Sequence, residues 1–95
     1  MIQSPYVITK YTKQKAKELG VVVKLSTKTG KKIDVFKNDV KIASVGASGY
    51  ADYPTYVKTH GAEYAESRRI LYRLRHESDR HKPNTAGFYA DNLLW

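Results

Sequence analysis

The chain has 95 residues, which is enough for one domain with a small hydrophobic core. It carries 17 Lys and Arg against 9 Asp and Glu, giving a formal net charge of +8. The sequence contains no cysteine, which excludes disulfide bonds, thiol nucleophiles and cysteine-based zinc or iron–sulfur sites. No apolar run of about 18 residues occurs, so we expect no membrane-spanning segment.

The positive charge is concentrated in the first half of the chain. Residues 1–45 contain ten Lys, no Arg and three acidic residues, whereas residues 46–95 contain five Arg, two Lys and six acidic residues. A field of lysines suits contact with phosphates, while interleaved arginines and acids suit ion pairs and packed interfaces. We therefore treat residues 1–95 as one domain with a Lys-rich half and a Tyr/Arg-rich half.

The first half predicts three antiparallel strands at residues 21–25, 32–37 and 40–45. Each segment alternates apolar and polar residues with a period of two and is rich in β-branched side chains. Val40 and Ile42 are expected to share the buried face of the third strand. The dipeptide Asn38–Asp39 predicts a tight turn, since both residue types tolerate positive φ angles.

Helices are predicted on both sides of these strands. Residues 9–19 predict a short helix that ends at Gly20, and residues 53–60 predict a second helix that Asp52 caps. Residues 62–80 predict the longest helix. Its apolar stripe, which we expect to face the core, consists of Tyr64, Ile70, Leu71 and Leu74.

Residues 81–87 are interpreted as a loop, and residues 88–95 as an apolar segment with no assigned element. The whole pattern predicts an α+β fold: a short N-terminal helix, a three-stranded antiparallel sheet, and a helical C-terminal half packed on one face of the sheet. A sheet of only three strands needs such a cover to be stable.

A cluster of lysines around one aromatic residue is predicted on the outer face of the sheet. Such a surface is typical of proteins that hold single-stranded nucleic acid, and phosphate contacts would make its affinity depend strongly on salt. The alternative is an ordinary solvated lysine surface. The candidate nucleic-acid-binding residues are Lys24, Lys28, Lys31, Lys32, Phe36 and Lys41.

Tyrosines and arginines in the second half are candidates for a protein interface, where both residue types are enriched. The alternative is that the rings build the domain's own core and that the arginines pair with nearby acidic residues. The candidate interface residues are Tyr50, Tyr53, Tyr56, Arg68, Arg69, Arg73 and Trp95.

Several segments together resemble a family of small basic proteins encoded by large double-stranded DNA viruses, such as the chloroviruses of algae. The matching features are a strand hairpin, a glycine- and tyrosine-containing corner, an Arg-rich helix ending in Arg-His, and a terminal Leu-Leu-Trp. Here they are Gly46 to Tyr50, Asp52, Tyr53, Arg68, Arg69, Arg75, His76 and Leu93 to Trp95. The resemblance covers nearly the whole chain and implies a viral protein of an algal or protist host. It assigns no catalytic residues.

From the resemblance and the Tyr/Arg-rich half we expect a structural virion protein, a minor capsid component that bridges larger capsid subunits. Its expected locations are the virion and the infected host cell. The alternative is a nucleic-acid-binding protein with a packaging or regulatory role and DNA or RNA as its partner.

A remote alternative is a metal-dependent nuclease. It would use the polar cluster of His76, Glu77, Asp79, His81 and Asn84, but the strand–strand–helix frame that orients such a site is not predicted. We therefore expect no enzymatic activity, no cofactor, no bound metal and no small-molecule substrate.

Overall fold

The computed structural model describes residues 6–95, and this part of the chain forms a three-stranded antiparallel sheet and four α-helices. In chain order the elements are α1 (Lys10–Leu19), β1 (Val22–Leu25), β2 (Lys31–Lys37), β3 (Val40–Ala47), α2 (Tyr53–His60), α3 (Ala62–Arg75) and α4 (Ala86–Leu94). The prediction of an α+β fold with a helical second half is confirmed.

Gly20 ends α1 and Asp52 caps the start of α2, as predicted from the sequence. The Thr9 hydroxyl accepts a hydrogen bond from the Thr12 amide at 3.2 Å, and Gly20 ends α1 in the left-handed conformation with φ of 73°. At the start of α2 the Asp52 carboxylate accepts a hydrogen bond from the Thr55 amide at 3.1 Å. These caps satisfy amide groups that the helices themselves cannot pair.

β2 is the central strand of the sheet, and the strands follow one another in the order β1-β2-β3. The turn between β2 and β3 contains Asn38 and Asp39, with φ angles of 53° and 65°. Two consecutive positive φ angles match the right-handed twist of a hairpin, so the predicted tight turn is confirmed.

A β-bulge changes which residues of β3 face the core. The register shifts between Val35 and Phe36, and Phe36 lies opposite Lys41, which leaves Ile42 as the extra residue. Lys41 is thereby placed on the outer face, and Val40 pairs with Lys37 beside the turn. Val40 is exposed at this end of the sheet, so its predicted burial is wrong, whereas Ile42 packs against the edge of the core.

The hydrophobic core lies between one face of the sheet and the helices α1 and α4. The Thr12 hydroxyl, on α1, donates a hydrogen bond to the main-chain oxygen of Leu93, on α4, at 2.8 Å. The two covering helices are therefore joined to each other as well as to the sheet. The buried apolar cluster consists of Ala16, Val21, Ile33, Val35, Val45, Tyr89, Leu93 and Leu94.

α4 is a helix that the sequence analysis did not assign. Its start is capped by the Thr85 hydroxyl, which accepts a hydrogen bond from the Phe88 amide at 3.3 Å. A Cβ at Gly87 would lie 2.8 Å from the main-chain oxygen of Asp79. Only glycine therefore allows the turn after α3 to approach the first turn of α4 this closely.

α3 is shorter than predicted and buries a different face. It ends at Arg75 rather than residue 80, and its buried residues are Ala65 and Tyr72. Leu71 is exposed, and Leu74 retains 70% of its accessible surface. The prediction that the aliphatic stripe faces the core is wrong, because α3 packs mainly on α2 and on the aromatic rings near the end of α4.

A buried ion pair joins the sheet to the start of α2. The Lys32 ammonium lies 3.2 Å from the Asp52 carboxylate, and their side chains are only 5% and 1% exposed. The Tyr6 hydroxyl donates a further hydrogen bond to the same carboxylate at 2.8 Å. Burial of Tyr6, reinforced by the negative charge of Asp52, raises the pKa of the Tyr6 hydroxyl, which therefore stays protonated and able to donate.

We expect Leu93→Ala to lower the free energy of unfolding by about 2–5 kcal/mol, because it opens a cavity under the sheet. Leu74→Ala, the matched change at an exposed site, should alter it by less than about 0.5 kcal/mol. Urea denaturation of both variants measures this difference. Equal losses would contradict the observed orientation of α3.

We expect Asp52→Asn to lower the free energy of unfolding by about 3 kcal/mol or more, because it leaves the Lys32 ammonium buried without a counter-charge. Asparagine still caps a helix, so loss of the cap is not the cause. The double variant Lys32→Met/Asp52→Asn buries no charge and should recover part of the loss. A double variant less stable than Asp52→Asn would contradict this account.

Candidate functional site

The outer face of the sheet brings together the predicted aromatic residue and two of the predicted lysines. The register places Lys41 opposite Phe36, and the Lys24 ammonium lies 5.0 Å from the centre of the Phe36 ring. Both lysines are exposed, and the ring is half-buried. The arrangement offers two cations beside one aromatic face, as the period-two pattern predicted.

Asp34 lies on the same face, opposite Lys24, and hydrogen bonds stabilise its carboxylate in the charged form. It is buried and accepts hydrogen bonds from the hydroxyls of Ser26 and Ser44 at 2.6 and 2.7 Å, while Lys41 lies 3.9 Å away. Burial alone would raise the pKa of this carboxyl, but the hydrogen bonds and Lys41 together hold it below its usual value. Asp34 therefore stays ionised and offsets part of the charge of Lys41, so the positive charge beside the ring rests chiefly on Lys24.

Lys28 and Lys31 lie at one end of the sheet rather than on its outer face. Lys28 belongs to the loop between β1 and β2, and Lys31 is the first residue of β2, opposite Ala47. The loop is tied to the corner after β3 by a hydrogen bond from the Ser48 amide to the main-chain oxygen of Gly30 at 2.9 Å. We call Lys24, Lys28, Lys31, Phe36 and Lys41 together the basic surface.

Lys32 was assigned to the same surface, and the structure places it elsewhere. Its side chain is buried against Asp52, with the ammonium 5.2 Å from the centre of the Tyr6 ring. It is therefore not presented to solvent with the other lysines. The sequence alone does not indicate this, because Asp52 is twenty positions away, beyond the strand β3.

Beside the basic surface lies a cleft of about 370 Å³, which we call the aromatic cleft. Its walls are one stripe of α3, the corner at residues 46–51 and the end of α4. Burial, followed by the charge of Asp91, raises the pKa of the Tyr72 hydroxyl in this wall to about 12. The principal side chains of the cleft are Tyr50, Tyr56, Arg68, Tyr72, Arg75 and Trp95, with His76 at the end of the stripe.

The arginines of the second half divide into two groups. Arg69 pairs with Glu66, and Arg73 and Arg80 pair with Asp91 at 3.2 and 3.4 Å. By contrast, within residues 6–95 no carboxylate lies within ion-pair distance of the two cleft arginines, Arg68 and Arg75. The predicted alternative of internal pairing thus describes Arg69, Arg73 and Arg80 but not Arg68 and Arg75.

The predicted interface aromatics also form two groups, rings packed within the domain and one exposed ring. The Trp95 ring stacks on Tyr72, with centres 4.5 Å apart and planes 9° apart, and Tyr56 lies 6.1 Å away. Tyr53 lies under the Arg69 guanidinium at 3.9 Å. These rings hold the domain together, whereas Tyr50 retains 75% of its accessible surface and is free to meet a partner.

Arg68, Tyr72, Arg75 and His76 lie along one side of α3 and its end, and this stripe was not predicted from the sequence. The spacing of these four positions repeats at the helical period, which is the signal that could have indicated a functional stripe. His76 stacks on Tyr72, with ring centres 4.4 Å apart, and so completes the wall.

The polar cluster considered as a metal site is arranged as separate pairs. His81 lies 2.8 Å from Glu77, and His76 lies 3.8 Å from Asp79. Among the residues that the structure describes, no group of three or more histidine, aspartate or glutamate side chains is placed to hold a metal ion. The nuclease alternative receives no geometric support from these positions.

No helix in the described range 6–95 is long and apolar enough to cross a membrane. Comparisons of the chain with protein-family models, with curated proteins and with solved structures gave no match. The resemblance to proteins of large DNA viruses therefore stays a prediction.

Proposed function

We propose that this protein binds nucleic acid, with the basic surface as its main contact with the phosphates. The observation that carries the proposal is the distribution of charge. The Lys-rich half supplies nearly all of the net charge of +8, and two exposed lysines of the basic surface, Lys24 and Lys41, lie beside an aromatic ring. Cations beside an aromatic face are an arrangement that proteins use to bind single-stranded nucleic acid.

The internal pairing of arginines supports the same conclusion. Arg69, Arg73 and Arg80 serve the domain's own packing, so their charges add little to the outside. On the basic surface the buried carboxylate of Asp34 lies 3.9 Å from Lys41 and offsets one of the four lysine charges. An acidic polymer would therefore meet a surface that keeps a net positive charge.

The test is fluorescence anisotropy with labelled duplex and single-stranded DNA across about 50–300 mM salt. The triple variant Lys24→Gln/Lys28→Gln/Lys41→Gln should reduce the slope of log affinity against log salt by about 2–3, since each lost phosphate contact removes close to one unit. Lys10→Gln/Lys13→Gln/Lys17→Gln on α1 removes the same charge and is the matched control, for which we expect a change below about one unit.

Equal effects of the two triple variants would mean that only net charge matters, and would contradict the assignment of the basic surface. Binding that stays weak and nearly independent of salt would contradict the proposed function itself. The lysines would then serve as a solvated surface.

A second proposal is the structural role in a virion that the resemblance implies, with other capsid proteins as partners. It is favoured by a row of exposed aliphatic residues on α3, where Ile70 and Leu74 retain 53% and 70% of their accessible surface. Leu71 lies beside them. An apolar row left uncovered on a folded domain is typical of a protein contact.

If the virion role is correct, the protein should occur in purified virions of the virus that encodes it, at a fixed ratio to the major shell protein. Ile70→Glu/Leu74→Glu should lower that ratio at least tenfold, because charges would enter an apolar contact. Lys58→Glu, on the exposed side of α2, is the control. Quantitative mass spectrometry gives the ratio, and a protein absent from virions would contradict this role.

A further inference from the structure

The aromatic cleft has the size and shape of a ligand site. Its volume of about 370 Å³ lies in the range of sites that enclose small ligands or single groups of larger ones. It is lined by the helical stripe that carries Arg68, Tyr72 and Arg75, by the corner at residues 46–51, and by Leu94 and Trp95.

The charged groups of the cleft indicate an anionic ligand. No acidic residue of the described range lines the cavity, whereas Arg68, Arg75 and His76 do. The Nε atom of Arg68 is buried and has no hydrogen-bond partner among the residues that the structure describes. A buried donor without an acceptor costs free energy, which a phosphate oxygen would recover.

The rings of the cleft indicate that the ligand also has a flat aromatic part. Tyr56, Tyr72 and Trp95 already contact one another, but Tyr50 stands largely free at the mouth. Any nucleobase can stack on an exposed tyrosine ring, so this contact does not depend on the nucleotide sequence. A ligand with both a phosphate and a base is a nucleotide unit.

A second cavity, of about 360 Å³, adjoins the aromatic cleft and points to more than one unit. Both cavities are lined by Lys32, Tyr50 and Ala51, and the second also contacts Tyr6 and Thr55. Tyr50 therefore borders both cavities. The corner that carries it lies beside Lys28 and Lys31 of the basic surface, so one strand can follow both.

We propose that the aromatic cleft and the second cavity hold two successive nucleotides of a single strand, with Tyr50 between their bases and Arg68 and Arg75 on the phosphate. The inference rests on the proposed nucleic-acid binding and deepens it. Duplex DNA keeps its bases paired and stacked, so it reaches the basic surface but not the cleft.

Trp95 makes the cleft directly observable, because it is the single tryptophan of the sequence and lines the cavity. Titration with a thymidine decanucleotide should change Trp95 emission in parallel with anisotropy. A ten-base-pair duplex should bind by anisotropy and leave the emission unchanged. Thymidine monophosphate should bind at least tenfold more weakly than the decanucleotide.

Variants separate the cleft from the basic surface. Tyr50→Ala and Arg68→Gln should each weaken decanucleotide binding at least fivefold and leave duplex binding within twofold. Tyr64→Ala, an exposed tyrosine outside the cleft, and Lys58→Gln, a cation outside it, are the matched controls and should change neither. Melting temperatures of all four variants confirm that they remain folded.

Salt-dependent binding of both nucleic acids with no change in Trp95 emission would overturn the cleft proposal and leave the proposed function intact. Equal effects of Tyr50→Ala and Tyr64→Ala would do the same. If the monophosphate binds as tightly as the decanucleotide, the occupant is a free nucleotide and the single-strand proposal is overturned. If no polymer binds, the proposed function fails and the cleft proposal fails with it, whatever the monophosphate does.

Discussion

The ion pair between Lys32 and Asp52 is the contact on which the arrangement of the two halves depends. Lys32 belongs to the central strand, and Asp52 both neutralises it and caps α2. Because neither charge can be left alone in the interior, the start of α2 is fixed relative to the sheet. Lys32 lines both the aromatic cleft and the second cavity, so the position of the two cavities depends on this pair.

The two kinds of cation have separate tasks in this fold. Most of the arginines hold the second half together: Arg69 donates to the main-chain oxygen of Trp95 at 3.1 Å, and Arg73 and Arg80 share Asp91. The planar guanidinium suits such directed contacts, whereas the exposed lysines serve as solvated point charges and Lys32 is the exception. Arg68 differs from these three arginines, since it lies over Tyr56 and lines the cleft.

Local patterns predicted the sheet well, because alternation of β-branched residues and the Asn38–Asp39 turn act within a few positions. Local patterns did not predict features that depend on contacts between residues far apart in the sequence. α4 contains Gly87, which weakens helix propensity, and its stability comes from the core and from the Thr12 hydrogen bond. The burial of Lys32 likewise depends on a partner in another element. The cleft was missed because three separate segments form it.

The hydrogen bond from Thr12 to Leu93 joins helices that most of the chain separates, and this has consequences for biosynthesis. The three-stranded sheet and the α2–α3 pair consist of sequence neighbours, so their loops close at small entropic cost. The apolar face of the sheet gains its full cover only after residues 86–94 have been made. A nascent chain in which these residues have not yet been made therefore displays Ile33 and Val45, and early access of a chaperone would protect them from aggregation.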